Sequence, residues 1–395
     1  MNSGNPLLFA SPERGGVAGA SQCGALAPGM VPQCAHWGGE VPPQWGERGA
    51  EEEGDRMSSK VALGLSGGVD SAAAALLLRS QGWEVHGFWL DLGFGSPEKA
   101  ARTASKLGIP FGVLDVREKH ERLVRAPFAE EYRAGRTPNP CVICNPAVKL
   151  PALWEAAEAI GGERIATGHY ARVEERLGRP CLRTSGGGKD QSYMLARVGP
   201  ELLGRLLLPL SGLTKPRVRA LAAEAGLPSA SEPDSQDICF IPDGDWGSWL
   251  ERRGMGLPPG DFVDGSGRVL GKHRGVHRYT VGQRRGLGVS AEERLYVCGM
   301  DPGSGEVLLG PEAELLTDSL YVKDIRWGAM EPAPAPFRCA VRPRSRPTTY
   351  PAEVSPAGGG LLLRFDTPLR RIAPGQLAVG YDEEGFVLFA GTASE

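Results

Sequence analysis

Two groups of residues in this chain could do chemistry, and they lie far apart in sequence. One is a glycine-rich turn, Ser66-Gly67-Gly68-Val69-Asp70-Ser71. The other is a set of thiols, Cys141 and Cys144 in Cys-Val-Ile-Cys and Cys239 in Asp-Ile-Cys-Phe. Glycines let a backbone turn tightly and approach an anion with no side chain between, and the amides of a helix start, with two hydroxyls, can then hold it. The common nucleotide-phosphate loop ends in Gly-Lys-Ser/Thr, whose lysine neutralises the outer phosphates. No lysine stands in this turn. It therefore suits the pyrophosphate end of ATP better than a terminal phosphate, with Asp70 available to help place a magnesium ion. The thiols point to metal binding or sulfur chemistry. Eight cysteines in a 395-residue chain, with no secretory signal pattern, do not read as a disulfide framework. Cys239, between Ile238 and Phe240, also has a plain packing role open to it.

The elements around the turn are legible. Lys60-Val-Ala-Leu-Gly-Leu is a short apolar run suited to a buried parallel strand, and the Ala/Leu-rich stretch Asp70 to Gly82 reads as a helix closed by its glycine. Val85 to Leu92 is the next strand, and Ser96 to Gly108 followed by Ile109 to Val116 repeats the helix and strand. Such alternation predicts a doubly wound parallel α/β sheet, whose ligands bind at the carboxyl ends of the strands, where the glycine turn lies. A second helical region runs from about Glu201 to Gly226, with Thr214 as N-cap, Pro216 in the first turn and Gly226 at the end. After about Gly260, short strand-like runs alternate with turn clusters such as Asp264-Gly-Ser-Gly and Asp301-Pro-Gly-Ser-Gly. This texture predicts a small antiparallel β-barrel.

Composition is that of an ordinary soluble protein, with 41% hydrophobic and 23% charged residues. No apolar run approaches the roughly 18 residues of a membrane span, so a cytoplasmic protein is expected. Residues 1–56 hold 11 Gly and 6 Pro with little hydrophobic periodicity, and read as a disordered extension. Their seven acids against three arginines account for the net charge of −3, so the rest of the chain is near neutral. Distribution is more informative. Arg268, Lys272, Arg274, Arg278, Arg284 and Arg285 occupy one acid-free run, and Arg338, Arg342, Arg344 and Arg346 another, the pattern of a phosphate-backbone footprint.

The turn, following a first strand, resembles the PP-loop signature of the ATP pyrophosphatases, which cleave ATP to AMP and pyrophosphate. Five further stretches narrow the resemblance: Gly135 to Asn145 (GRTPNPCVICN), Ala166 to Val173 (ATGHYARV), Lys189 to Leu195 (KDQSYML), Pro233 to Asp245 (PDSQDICFIPDGD) and Thr280 to Gly288 (TVGQRRGLG). Together, in this order over roughly residues 60–390, the chain resembles the tRNA-specific 2-thiouridylases, which install sulfur at carbon 2 of the wobble uridine. The resemblance implies a nucleotide domain over 57–205, a central tRNA-binding domain over 206–260 and a C-terminal barrel over 261–395. It implies an ATP site at Gly64, Leu65, Ser66, Gly67, Gly68, Val69, Asp70, Ser71, Leu90 and Gly168, with magnesium.

By the same resemblance Cys239 carries a persulfide and Cys144 resolves it, leaving a disulfide. Contacts to the tRNA anticodon loop are implied at Asn139, Pro140, Cys141, His169, Lys189, Asp190, Gln191, Arg344, Ser345 and Gln376. The sulfur donor is a cysteine desulfurase or a relay protein. The chain departs from the family in three places. Cys141 stands where many members have Asp, which makes Cys141, Cys144 and Cys239 an alternative three-thiolate site for an iron-sulfur cluster. Ser345 replaces a usual aromatic residue, and the segment from Gly93 to Ala104 is short. Two other readings remain open at this level: a PP-loop ligase acting on a small metabolite, and a non-catalytic RNA-binding protein of the same fold.

Overall fold

The computed structural model describes residues 59–234 and 238–394. The extension expected over residues 1–56 lies outside the described residues. The first domain is built on β1 (Lys60–Gly64), α1 (Val69–Ser80), β2 (Glu84–Asp91), α2 (Glu98–Leu107), β3 (Phe111–Asp115) and β4 (Arg164–Ala166). A hairpin follows, β5 (Arg172–Arg176) and β6 (Arg179–Arg183), turning through Leu177 and Gly178, both at positive φ. A short β7 (Leu206–Leu207) completes a five-stranded sheet of order β3-β2-β1-β4-β7 with every pairing parallel. This is the doubly wound arrangement that strand and helix alternation predicts.

The local reasons are simple. Val61, Ala62 and Leu63 of β1 are fully buried, which makes it the central strand with helices over both faces. Helix α1 turns Ala72, Ala73, Ala74 and Ala75 inward with no exposure, and side chains of one carbon let it lie close to the sheet. The helix Lys215–Glu224 packs against α1 and begins after Thr214, with Gly226 in the left-handed conformation just beyond its end.

The turn-rich part after Gly260 contains two structures. Strands β8 (Gly260–Val263), β9 (Val269–His273), β10 (Tyr296–Asp301) and β11 (Glu306–Gly310) make a sheet of order β10-β11-β8-β9, in which β11 and β8 run parallel. A closed antiparallel barrel then runs from β12 (Leu316–Trp327) through β13 (Phe337–Arg342), β14 (Tyr350–Ala357), β15 (Gly360–Arg370) and β16 (Leu377–Tyr381) to β17 (Val387–Ser394). Val322, Val341, Val354, Leu363 and Phe389 fill it. The barrel is stapled to the first domain next to the cysteine segment. Thr137 N–H donates to Pro374 O at 2.7 Å, Gln376 Nε2 donates to Thr137 O at 2.6 Å, and Tyr193 Oη donates to Leu377 O at 2.8 Å.

Candidate active site

The glycine turn leaves the carboxyl end of central strand β1 and enters α1, the place where an open parallel sheet binds ligands. Gly67 has φ +80°, and a Cβ there would lie 2.8 Å from Lys99 Cγ and Ala100 N at the start of α2. Both facts demand glycine. The two serines hold the turn shut. Ser71 Oγ donates to Gly68 O at 3.1 Å and accepts from Ser66 N at 3.2 Å, while Ser66 Oγ accepts from Gly68 N at 3.3 Å. Gly68 is the N-cap of α1 and has no side chain to cap with, so the first amides of the helix are left for a ligand.

The turn forms one wall of a cavity of about 530 Å³. Gly64, Leu65, Ser66, Asp70 and Ser71 line it, with Trp89 and Leu90 of β2, Gly168 and His169 beyond β4, and also Gln191, Lys149 and Cys239. Gly67, Gly68 and Val69 are not among the residues that line it. At Gly168 a Cβ would meet Asp70 C at 2.8 Å and Ser71 N at 2.9 Å, so the segment after β4 lies directly on the backbone of the turn. The His169 ring is bonded to Thr167 Oγ1 at 2.8 Å. Burial, reinforced by Lys149, pushes the pKa of His169 down to about 3, and the ring is neutral near pH 7.

Asp70 is not a free carboxylate. Tyr170 Oη donates to its Oδ1 at 2.7 Å, Lys215 Nζ to Oδ1 at 2.6 Å and Lys189 Nζ to Oδ2 at 3.3 Å. The rest of the Lys-Asp-Gln triplet also turns inward. Asp190 accepts from the backbone of Ser185 and the hydroxyl of Ser192, and pairs with Arg342 of the barrel at 2.6 Å. Gln191 Oε1 accepts from Tyr170 N at 3.0 Å. Arg342 is buried and also donates to Ser345 O and Arg346 O, which shapes the turn carrying Arg344 and the exposed Ser345. Arg344 itself donates to the backbone oxygens of Arg370 and Arg371.

The thiols are placed by their neighbours. Asn139 caps the short helix Pro140–Cys144, its Oδ1 accepting from Cys141 N at 3.1 Å, and puts Cys141 and Cys144 three residues apart on one helical face. Cys144 is buried, Cys141 half-buried and Cys239 exposed, and all three are unpaired thiols. Phe240 anchors the Cys239 segment in an aromatic cluster, with ring centroids 5.3 Å from Phe128, 5.2 Å from Trp249 and 5.7 Å from His120. Burial pushes the Cys144 thiol up to about 11, while the positive charge of Lys149 acts against that shift and favours an anionic Cys239 as well. The arrangement thus supplies a cation for an anionic sulfur.

It does not fit an iron-sulfur cluster. Among the described residues no group of three His, Cys, Asp or Glu side chains converges to hold a metal ion, and Lys149 sets a positive charge beside the thiols.

Asn139 and Pro140 line a different, larger cleft of about 970 Å³, in which Arg136, Arg197 and Lys323 face Glu131, Asp301 and Asp324, with the barrel rim closing it. Arg344, Ser345 and Gln376 line neither cavity. The basic run is partly neutralised: Lys272 pairs with Asp261, Arg268 with Asp264 and Arg278 with Glu251, whereas Arg274, Arg284 and Arg285 are exposed. Sequence reasoning missed Lys149, Tyr170, Lys215 and Asp234. Tyr170 and Asp234 lie within the Ala166–Val173 and Pro233–Asp245 stretches, and Lys149 is a cation five residues after Cys144, whereas Lys215 had no signal.

Three family models match the chain in order: a tRNA methyl transferase HUP domain over residues 59–243, a tRNA methyl transferase PRC-barrel domain over 249–311 and an aminomethyltransferase beta-barrel domain over 317–391. The chain is 41% identical over 350 residues to the tRNA-specific 2-thiouridylase MnmA of Geobacter metallireducens, covering 83% of this chain and 95% of that one. It is 43% identical over 349 residues to the protein of the same name from Saccharopolyspora erythraea, covering 82% and 96%. A third, from Acidithiobacillus ferrooxidans, is 42% identical over 340 residues, covering 83% and 97%. A glycine turn and a cysteine sharing one cavity, three models matched end to end and relatives this similar along nearly their whole length together mean that the chain belongs to the MnmA family of tRNA-specific 2-thiouridylases.

Proposed function

We propose that this chain replaces the oxygen at carbon 2 of the wobble uridine of tRNA with sulfur, at the expense of ATP. The observation that carries the reading is that one cavity contains both the glycine turn and Cys239, so a nucleotide phosphate and a sulfur nucleophile have a common site. Carbon 2 of uracil is a poor electrophile because its oxygen leaves badly. Transfer of AMP onto that oxygen, with release of pyrophosphate, makes it a good leaving group. A persulfide on Cys239 then attacks carbon 2 through its terminal sulfur and expels AMP. The Cys144 thiolate attacks Cys239 Sγ, the sulfur–sulfur bond breaks, and the base keeps the transferred atom. The resulting Cys144–Cys239 disulfide takes two electrons from two external thiols or one dithiol, which become a disulfide in turn, before the next turnover.

In this reading Gly64 to Ser71, Leu90 and Gly168 hold ATP. Magnesium would neutralise phosphate charge when bound, but Asp70, the acid of the turn expected to place it, is taken by Tyr170, Lys215 and Lys189, and no protein ligand is assigned to the ion. Asn139, Pro140 and Cys141 stand beside the target base, which is extruded from an anticodon loop already partly unpaired. His169, Arg344, Ser345 and Gln376 form the remaining tRNA face, with the inward-bonded 189–191 segment behind them, and exposed Arg274, Arg284 and Arg285 extend it. The sulfur donor is a cysteine desulfurase or a relay protein that hands a persulfide to Cys239. No described helix is long and apolar enough to cross a membrane, and we place the enzyme with its tRNA in the cytoplasm.

The test is nucleoside analysis of tRNA incubated with enzyme, ATP and a persulfide source. The wild type forms 2-thiouridine. Cys239→Ser forms none while binding tRNA as tightly, and 2-thiouridine made by that variant would remove Cys239 as the carrier.

A further inference from the structure

We propose that Lys189 and Lys215 are the cations that hold the pyrophosphate end of ATP, in place of the lysine that the glycine turn lacks. The inference rests on the reading of the turn as an ATP site and adds two ligands to it. Lys215 is the first residue of the helix that packs on α1, and its Nζ lies 2.6 Å from Asp70 Oδ1 and 3.0 Å from Asp234 Oδ1. Lys189 reaches the same pair of carboxylates from the opposite direction in sequence. Its Nζ is 3.3 Å from Asp70 Oδ2, 3.5 Å from Asp234 Oδ2 and 4.7 Å from the centre of the Tyr170 ring. Arg219 completes the group at 2.6 Å from Asp234.

The charges do not balance. Among the described residues Lys189, Lys215 and Arg219 face only Asp70 and Asp234, and the neighbouring Lys99 is matched by Glu232. One positive charge is left over, at side chains only 18% exposed for Lys215 and 33% for Lys189. It lies beside the uncapped start of α1 and the glycine amides, all of which favour an anion. Hydrogen-bond capacity agrees. An ammonium has three N–H groups, and each lysine donates one to Asp70 while approaching Asp234 only as an ion pair, which leaves N–H groups on both for a phosphate oxygen. Asp70 and Asp234 therefore hold the two lysines at the rim of the turn without using them up. Arg219, by contrast, is also committed to the backbone oxygens of Ala230 and Glu232, and serves as scaffold.

The experiment is calorimetric titration of the full chain, without tRNA or persulfide, using ATP, inorganic pyrophosphate and adenosine as separate probes. Loss of one charge-assisted contact predicts that Lys215→Gln binds pyrophosphate and ATP about tenfold more weakly or worse, with adenosine unchanged. Lys189→Gln, at a more exposed position, gives the same direction and serves where Lys215→Gln melts early. Wild-type pyrophosphate affinity in both folded variants overturns the proposal while leaving the ATP site intact. A wild-type chain that binds neither ATP nor pyrophosphate overturns the underlying reading as well.

Discussion

Gly168→Ala adds one carbon at the point where the segment after β4 meets the glycine turn. The new Cβ would lie 2.8 Å from Asp70 C, 2.9 Å from Ser71 N and 3.0 Å from Asp70 O, against 3.4 Å or more for an ordinary contact. A shift of about 0.6 Å is required, and because every obstructing atom is backbone, no rotamer change can supply it. Neither side gives easily. The turn is held by the Ser66 and Ser71 hydrogen bonds, and Thr167 is held by its N–H to Leu207 O at 3.3 Å. Overpacking of this kind costs about 1–3 kcal/mol of stability. A misplacement near 1 Å is worth about a hundredfold in rate. Release of pyrophosphate in single turnover, with saturating ATP and tRNA, should therefore fall between about tenfold and a hundredfold. The control is Gly82→Ala. Gly82 has φ +82° with nothing within 4 Å of its would-be Cβ, so that variant loses stability through backbone strain and keeps its rate. A Gly168→Ala enzyme with the wild-type rate constant would show that contact between this segment and the turn does not position the phosphates.

Arg342→Met removes the partner of Asp190, a carboxylate 17% exposed that keeps its bonds from Ser185 and Ser192, and loss of one charge-assisted bond costs about 1.5–3 kcal/mol. Thermal melting should show the loss, Asp190→Asn in the same chain should recover part of it, and an unchanged melting temperature in the single variant would deny the pair its structural role. His120 is fully buried against Phe94 and Phe240, and burial, with Arg125 and Lys149, lowers its pKa to about 4. The unfolded chain takes up that proton near pH 6.5 and the native chain does not, so stability falls as pH drops from about 6.5 towards 4. By pH 4.5 the loss is about 2 kcal/mol, and His120→Phe should remove it from urea unfolding curves measured at pH 7 and 4.5. Equal pH slopes for the two proteins would refute this.

What was legible in the sequence was what is local. The strand, turn and helix from Lys60 to Ser80 could be read because burial of Val61 to Leu63, the glycine at φ +80° and the alanine face of α1 are each written in consecutive residues. The short helix bearing Cys141 and Cys144 was not read, although Asn139 and Pro140 sit at its start as a cap and first residue. The separate sheet over residues 260–310 was not legible, because hairpin turns look alike whether their strands join a barrel or pair in parallel as β8 and β11 do. Nor were the partners of Asp70, which come from 119 and 145 residues away and have no spacing rule to betray them.

The Lys-Asp-Gln triplet shows what such distant pairing does for the site. Read in sequence, three polar residues in a row suggest a surface that touches a ligand. In the fold they point three ways: Lys189 to Asp70 of the glycine turn, Asp190 to Arg342 and so to the Arg344–Ser345 turn of the barrel, and Gln191 to the backbone that carries Tyr170 and His169. Residues 189–191 therefore join the nucleotide cavity to the barrel through side chains that are themselves bonded. A rigid joint has a consequence for catalysis, since a macromolecule held by the barrel is then held at a set distance from the phosphates. Orientation of two reactants in this way supplies rate without any group touching the reacting atoms. Asp190 and Arg342 are accordingly positioning residues, and breaking their pair should impair the meeting of tRNA with ATP more than the binding of either alone.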